Sequence, residues 1–306
     1  MPIGAMLEAL LVVGFWSASP ALVKLALVDV GPLSLAGIRY ASGGLLLLPW
    51  VVIHSRHILR RLDRGAWLRL ILMGLVAYSI GNPLIFAGLE QLPTTTAAFL
   101  LNIIPVATMI LGTIFLSERP GRLQLAGMVL AIGGGIVFLG GRMEWGSSRA
   151  VALTLLGALA LSVFGILGRD FARGDKTDTA VLSSIPLIAG GFGLFLVSPP
   201  TGPISRQTWM ILLWLAAINS ALAYILWNHA LKRLQAFEIS LIGNLMPMGT
   251  ALLAPFLAGE VVDGRAWLGM LISLGGVILV GWGAAGRLPR TAPAQEAILL
   301  SPVERD

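Results

Sequence analysis

The stretch from Asn102 to Gly134 occurs twice in this chain. Asn102, Pro105, Glu118, Gly127, Gly133 and Gly134 reappear as Asn244, Pro247, Glu260, Gly269, Gly275 and Gly276, every pair at one constant offset with no gap. A shared bias toward apolar residues would not match Asn, Pro and Glu as well as Gly. The chain therefore reads as two related halves, residues 1–145 and 146–286, followed by a polar, Pro-containing stretch, 287–306, expected to be a mobile cytoplasmic tail.

What each half must fold into follows from its apolar runs. Apolar residues make up 57% of the chain and charged residues 12%, where a soluble domain carries about a quarter charged. Many windows of about 20 residues hold at most one charge, the length a helix needs to cross a bilayer core of about 30 Å. Only helices and closed barrels satisfy their backbone in lipid, and these runs are too continuous for barrel strands. The fold class is thus an all-α polytopic membrane protein. Cysteine is absent, which excludes disulfides and thiolate metal sites.

Ten spans are expected, five per half, near residues 5–28, 32–53, 67–89, 94–116 and 123–140, then 151–171, 179–197, 208–231, 236–258 and 266–284. The first contains a small-x-small triplet, Ser17-Ala18-Ser19. No Lys or Arg precedes it and Pro20 follows the triplet, so it reads as a retained helix rather than a signal peptide. The net charge of +6 suits topology better than nucleic acid, because the charges sit in short loops. Arg56, Arg60, Arg61, Arg64, Arg119, Arg122, Arg169, Arg173, Lys176, Lys232, Arg233, Arg287 and Arg290 fall on one side, against Arg142, Arg149, Arg206 and Arg265 on the other. The positive-inside rule then puts both termini in the cytoplasm, and an odd span count per half inserts the second half inverted.

Each half resembles an EamA-type repeat of the drug/metabolite transporter superfamily. The resemblance rests on Phe15-Trp16-Ser17, Lys24, Pro32, Arg39-Tyr40, Pro105, Glu118, Gly127 and Gly133, then on Ser162, Arg169, Pro247, Glu260, Gly269 and Gly275. It is similar to bacterial exporters of amino acids, aromatic ones included, and of related metabolites. It implies a central cavity between the halves and export by alternating access through the inner membrane. The seventh span has no clear counterpart of Arg39.

Polar residues at lipid depth are costly and face a cavity or another helix. Tyr78 and Asn82 share one helix face; Ser220, Tyr224 and Asn228 share another. With Trp16, Ser17, Asn102, Ser162, Trp227 and Asn244 they form the candidate substrate-binding set, suited to a zwitterion with an apolar side chain. The bland reading is interhelical hydrogen bonding. Pro20, Lys24, Arg39, Pro105 and Pro247 are the candidate gating and hinge positions. His229 is a candidate for proton handling, and Glu118 and Glu260 for pairing with nearby Arg. No mid-span carboxylate, phosphate loop or metal-ligand motif is seen, so neither a cofactor nor a catalytic or metal site is expected. The expected partners are a small-molecule substrate and the lipid bilayer, with the chain a monomer. The rivals are transport of a nucleotide sugar, nucleoside or drug, and a membrane-embedded lipid enzyme.

Overall fold

Helix starts in this chain follow from side chains able to accept from the first free N–H groups. Asp63 accepts from Ala66 N–H (2.7 Å), and Ser205 from Thr208 N–H (3.2 Å). The Glu238 side chain reaches back to accept from Gln235 N–H (2.8 Å), and Gly31-Pro32 puts proline at the first helical position. The computed structural model describes residues 2–89, 91–92, 100–101, 103–139, 147–173, 178–246, 248–250, 252–253 and 264–285, without the side chains of 20, 24, 86, 89, 139, 284 and 285.

Its α-helices are α1 (Ile3–Ala26), α2 (Pro32–His54), α3 (Arg56–Arg61), α4 (Arg64–Gly74), α5 (Asn82–Leu89), α6 (Ile103–Leu116), α7 (Arg122–Leu139), α8 (Ser148–Arg173), α9 (Thr179–Val197), α10 (Arg206–Ala216), α11 (Ala223–Leu231), α12 (Ala236–Gly243) and α13 (Gly264–Ala285). A π-helical segment, Leu75–Gly81, joins α4 to α5, and another, Ala217–Leu222, joins α10 to α11. Among the described residues seven helical spans are long and apolar enough to cross a membrane: Ile3–Val23, Pro32–His54, Arg64–Ile85, Ser148–Arg173, Thr179–Val197, Arg206–Leu231 and Gly264–Gly283. Ile103–Leu116 and Arg122–Phe138 are apolar but shorter. The expected loop after α2 instead carries the short helix α3. The expected continuous helix 236–258 is interrupted after Gly243 by a turn at Asn244 and Leu245, because the proline at 247 has no N–H to give the Gly243 carbonyl, and the described residues 246, 248–250 and 252–253 are helical again.

The halves are interlocked rather than side by side. α2 packs along α9, and α7 along α13, its counterpart in the second repeat. Gly127 abuts Gly276, and Gly134 abuts Gly269, so numbering rises along α7 as it falls along α13, and the two run antiparallel. A Cβ on Gly127 would lie 2.7 Å from the Gly276 carbonyl, so only glycine allows this approach. The same correspondence recurs elsewhere. A Cβ on Gly43 of α2 would meet Ser220 (2.7 Å) and Ala216 (3.1 Å); one on Gly190 of α9 would meet Tyr78 (2.6 Å) and Gly74. Gly74 and Tyr78 precede Ala216 and Ser220 by the offset of the sequence repeat, and the starts of the two π segments, Leu75 and Ala217, are related by it too. Hydrogen bonds repeat as well. Ser17 Oγ donates to the Val13 and Met246 carbonyls (2.7 and 3.2 Å); Ser162 Oγ donates to those of Ala158 and Ile104 (2.9 and 3.5 Å). Contacts of first-half residue with second-half partner, mirrored by their equivalents, are what a twofold axis between the halves produces.

One end of the bundle is tied by buried charge. After α6, Ser117 adopts φ 54°, a left-handed turn costing a non-glycine residue about 1 kcal/mol. The turn aims Glu118 inward, where its side chain is 1% exposed. It accepts from Arg169 Nε (3.0 Å), Arg173 Nη2 (2.8 Å) and Ala236 N–H (3.0 Å), joining α6 to α8 and α12. Arg169 also donates to the Leu231 carbonyl. Beside them Gln124 of α7 donates to Glu238 of α12 (2.5 Å), both buried. This pairing with nearby arginines was expected of Glu118; its partners come from the other half. Glu260 lies outside the described residues, as does the stretch 287–306.

Glu118→Ala should lower the melting temperature of the detergent-solubilised protein strongly, by a loss of about 3–5 kcal/mol, because Arg169 is left buried and uncompensated. Ser117→Gly, which relieves the turn, should leave it unchanged or raise it. Equal losses in both variants would contradict the ion-pair account.

Candidate functional site

All three tyrosines of the chain meet at one place between the halves. Tyr40 lies 4.6 Å from Tyr78, and Tyr78 lies 5.4 Å from Tyr224 edge-on, measured between ring centroids. Phe164 packs on the far edge of Tyr78 (5.6 Å). Trp16 of α1 extends the row, 5.5 Å from Tyr224 and 4.8 Å from Trp227. Tyr78 is fully buried, while Trp16, Tyr224 and Trp227 are half-buried.

Tyr78 lies on the first π segment, Ser220 and Asn219 on the second. A π-helix widens the turn, shifts the side-chain register and leaves backbone groups to be satisfied otherwise, and such turns gather at functional sites. Here the Asn219 carbonyl accepts from Trp16 Nε1 (3.0 Å) and from Arg39 Nη2 (3.4 Å). Asn219 Nδ2 returns a bond to the Phe15 carbonyl (2.6 Å), while its Oδ1 is buried without a partner among the described residues. Arg39 donates further to Ser220 Oγ (3.1 Å) and Ser19 Oγ (3.0 Å), and its guanidinium lies 5.4 Å from the Tyr40 ring centroid. The Tyr40 hydroxyl accepts from Asn82 Nδ2 (3.1 Å). The result is an aromatic row flanked by one guanidinium and two amides.

Of the residues singled out in the sequence, Trp16, Tyr78, Asn82, Ser220, Tyr224, Trp227 and Arg39 are brought together here. Asn228 is not. It is buried and donates to Ser183 Oγ (3.0 Å), pinning α11 to α9. Ser17 and Ser162 are buried and spent on the cross-half carbonyls named above. Asn244 lines a separate small cavity with Ala131, Ile132, Leu241, Leu245, Met248 and Ser273, about 10 Å³ and so about the size of one water. Pro105 is buried within α6. Asn102 and Pro247, and the side chains of Pro20 and Lys24, lie outside the described residues. His229 contacts Glu8 (2.8 Å), two turns of α1 before Trp16. Sequence reasoning passed over Ser19 and Phe164, marked Asn219 as a deep polar residue without placing it in the site, and met Tyr40 only within a motif. The available signal was that Tyr40, Tyr78 and Tyr224 are the chain's whole complement of tyrosine. Among the described residues no group of three His, Cys, Asp or Glu could hold a metal ion.

The EamA-like transporter family matches the chain twice, over residues 3–140 and 148–282. An uncharacterized inner membrane transporter of Escherichia coli, YedA, is 22% identical, with 92% of this chain and 90% of that one covered. A probable amino-acid metabolite efflux pump of Salmonella typhimurium is 26% identical over 93% and 96%. An S-adenosylmethionine/S-adenosylhomocysteine transporter of Chlamydia trachomatis is 27% identical over 86% and 84%. A solved crystal structure superposes with a TM-score of 0.75 at 20% identity, covering 94% of this chain and 99% of that one, so the fold is shared.

A double-mutant cycle checks the geometry. Tyr40→Phe and Asn82→Ala should each destabilise, with a coupling of about 0.5–1.5 kcal/mol, because each removes the same hydrogen bond. Strictly additive losses in thermal stability would place the two groups apart.

Proposed function

Since the chain belongs to the EamA-like transporter family, we propose that it exports amino acids, neutral and aromatic ones foremost, and related small metabolites across the bacterial inner membrane. The observation that carries this reading is the row Trp16, Tyr78, Tyr224 and Trp227 beside Arg39 and Asn82. Aromatic walls bind an apolar side chain through its surface, and the guanidinium and amides offer donors to a polar head. The row lies where α1, α2, the two π segments and α11 converge, so moving one half against the other would open it to each side in turn. The proposed architecture is ten spans in two five-span repeats, the second inverted, with both termini cytoplasmic. The antiparallel course of α7 and α13 and the mirrored cross-half contacts support the inversion. The name of the Salmonella relative supports the solute class, and that of YedA supports the inner membrane. A monomer suffices, because both halves of the site come from one chain.

A second reading is favoured by the Chlamydia relative: transport of S-adenosylmethionine or its demethylated product. Both solutes carry an α-amino-carboxylate head, as amino acids do, and an adenine ring would also stack on the aromatic row. Drug cations are disfavoured, because among the described residues no carboxylate lies in the aromatic row.

Proteoliposomes loaded with a panel of labelled amino acids, S-adenosylmethionine, nucleosides and organic cations test the proposal, with and without a pH gradient. Amino-acid flux should exceed that of nucleosides and cations. Trp16→Ala and Tyr78→Ala should each cut flux at least about tenfold, from the lost aromatic contact. Flux of no amino acid would discard the solute class.

A further inference from the structure

Arg39 sits about 10 Å along α2 from Pro32, too deep for its charge to be released freely to water. A guanidinium at that depth usually pairs with a carboxylate. Among the described residues none reaches Arg39; the salt bridges formed there are those of Glu118, Arg69 with Asp170, and His229 with Glu8. The bonds that hold it go to neutral oxygens: Ser220 Oγ, Ser19 Oγ and the Asn219 carbonyl. They engage one N–H on each nitrogen. Of the five a guanidinium carries, one on Nη1 and one on Nη2 are without an acceptor among the described residues, two donors for a carboxylate. A second unmet group lies on the residue whose carbonyl holds Nη2, since the buried Asn219 Oδ1 lacks a donor among the described residues.

We propose that Arg39 and Asn219 form the head-group subsite of the transport site. Arg39 takes the substrate carboxylate through its two free N–H groups, and Asn219 Oδ1 accepts from the α-ammonium. The substrate side chain then lies among Trp16, Tyr78 and Tyr224. Arg39 is thereby the residue that selects a carboxylate-bearing solute over the same solute with its charge removed. This rests on the amino-acid reading above.

The test compares L-phenylalanine with L-phenylalaninamide, and L-leucine with L-leucinamide, in proteoliposomes after subtraction of protein-free vesicles. Wild type should carry each acid at least about tenfold faster than its amide, the order expected for a charge-assisted bidentate pair. Arg39→Gln should bring the ratio close to one, with the amide flux changed less than the acid flux. Arg39→Lys keeps the charge but not the two guanidinium donors, and should lower the ratio at least about threefold. A purely structural role would reduce both fluxes together and leave the ratio alone; that outcome in either variant overturns the proposal. If Arg39→Gln does not fold, Arg39→Lys and the wild-type ratio decide. A wild type that carries acid and amide equally removes the role of Arg39 and spares the amino-acid reading. A wild type that carries neither acid removes both.

Discussion

Lipid offers no hydrogen bonds, so every polar group in the spans must find its partner within the protein. In this fold that partner repeatedly comes from the other half. Ser79 donates to the Gly190 carbonyl (2.8 Å), Ser184 to Gly44 (2.9 Å) and Ser273 to Ala131 (2.6 Å). Ser17, Ser162, Trp16 and Asn219 do likewise. Each such bond is worth about 0.6–2 kcal/mol in a membrane, so the sum across the interface is large while any one contact is dispensable. The glycines of α2, α7, α9 and α13 bring the backbones close enough for short serine side chains to reach across.

The twofold correspondence sets the scaffold, and departures from it make the site. Tyr78 and Ser220 occupy equivalent places, as do Asn82 and Tyr224 by the same offset. Gly43 and Gly190 correspond, so Arg39 corresponds to Pro186. Matched positions thus present different chemistry: an aromatic ring from one half, and from the other a hydroxyl that accepts from Arg39. The Glu118 cluster, joining α6, α8 and α12, supplies a charged tie outside this aromatic region.

The duplication, the helical class and the main apolar spans were legible in the sequence, because Gly, Pro and Glu at fixed spacing survive where apolar residues interchange. Tyr78 and Tyr224 stood out as polar groups at lipid depth, Trp16 as an aromatic neighbour and Arg39 as a gating position; that the four lie together was not legible. Nor were the π segments. No residue type encodes them, and the second one, ending at Leu222, shifts Ser220 out of the face it would have shared with Tyr224 and Asn228, which both lie in α11. Instead Ser220 reaches Arg39, Tyr224 reaches Trp16 and Tyr78, and Asn228 turns to Ser183. The buried Gln124–Glu238 contact was missed because each residue stands in the first turn of its helix, where polar side chains are ordinary; only the fold brings them together. Ser117 shows the opposite case. It adopts a left-handed turn, and the equivalent position of the sequence repeat holds Gly259, the residue type suited to that conformation.

The central claim is that equivalent elements of the two halves face each other antiparallel, interlocking the repeats. Disulfide trapping in this cysteine-free chain measures it directly. A Cβ on Gly283 would lie 3.2 Å from that of Leu123, close to the Cβ–Cβ range of a disulfide, about 3.5–4.5 Å. The pair Leu123→Cys and Gly283→Cys should therefore cross-link rapidly in membranes, while Phe138→Cys with Gly283→Cys should not. Cross-linking of Phe138 with Gly283 in place of Leu123 would mean that α7 and α13 run parallel, and would contradict the account.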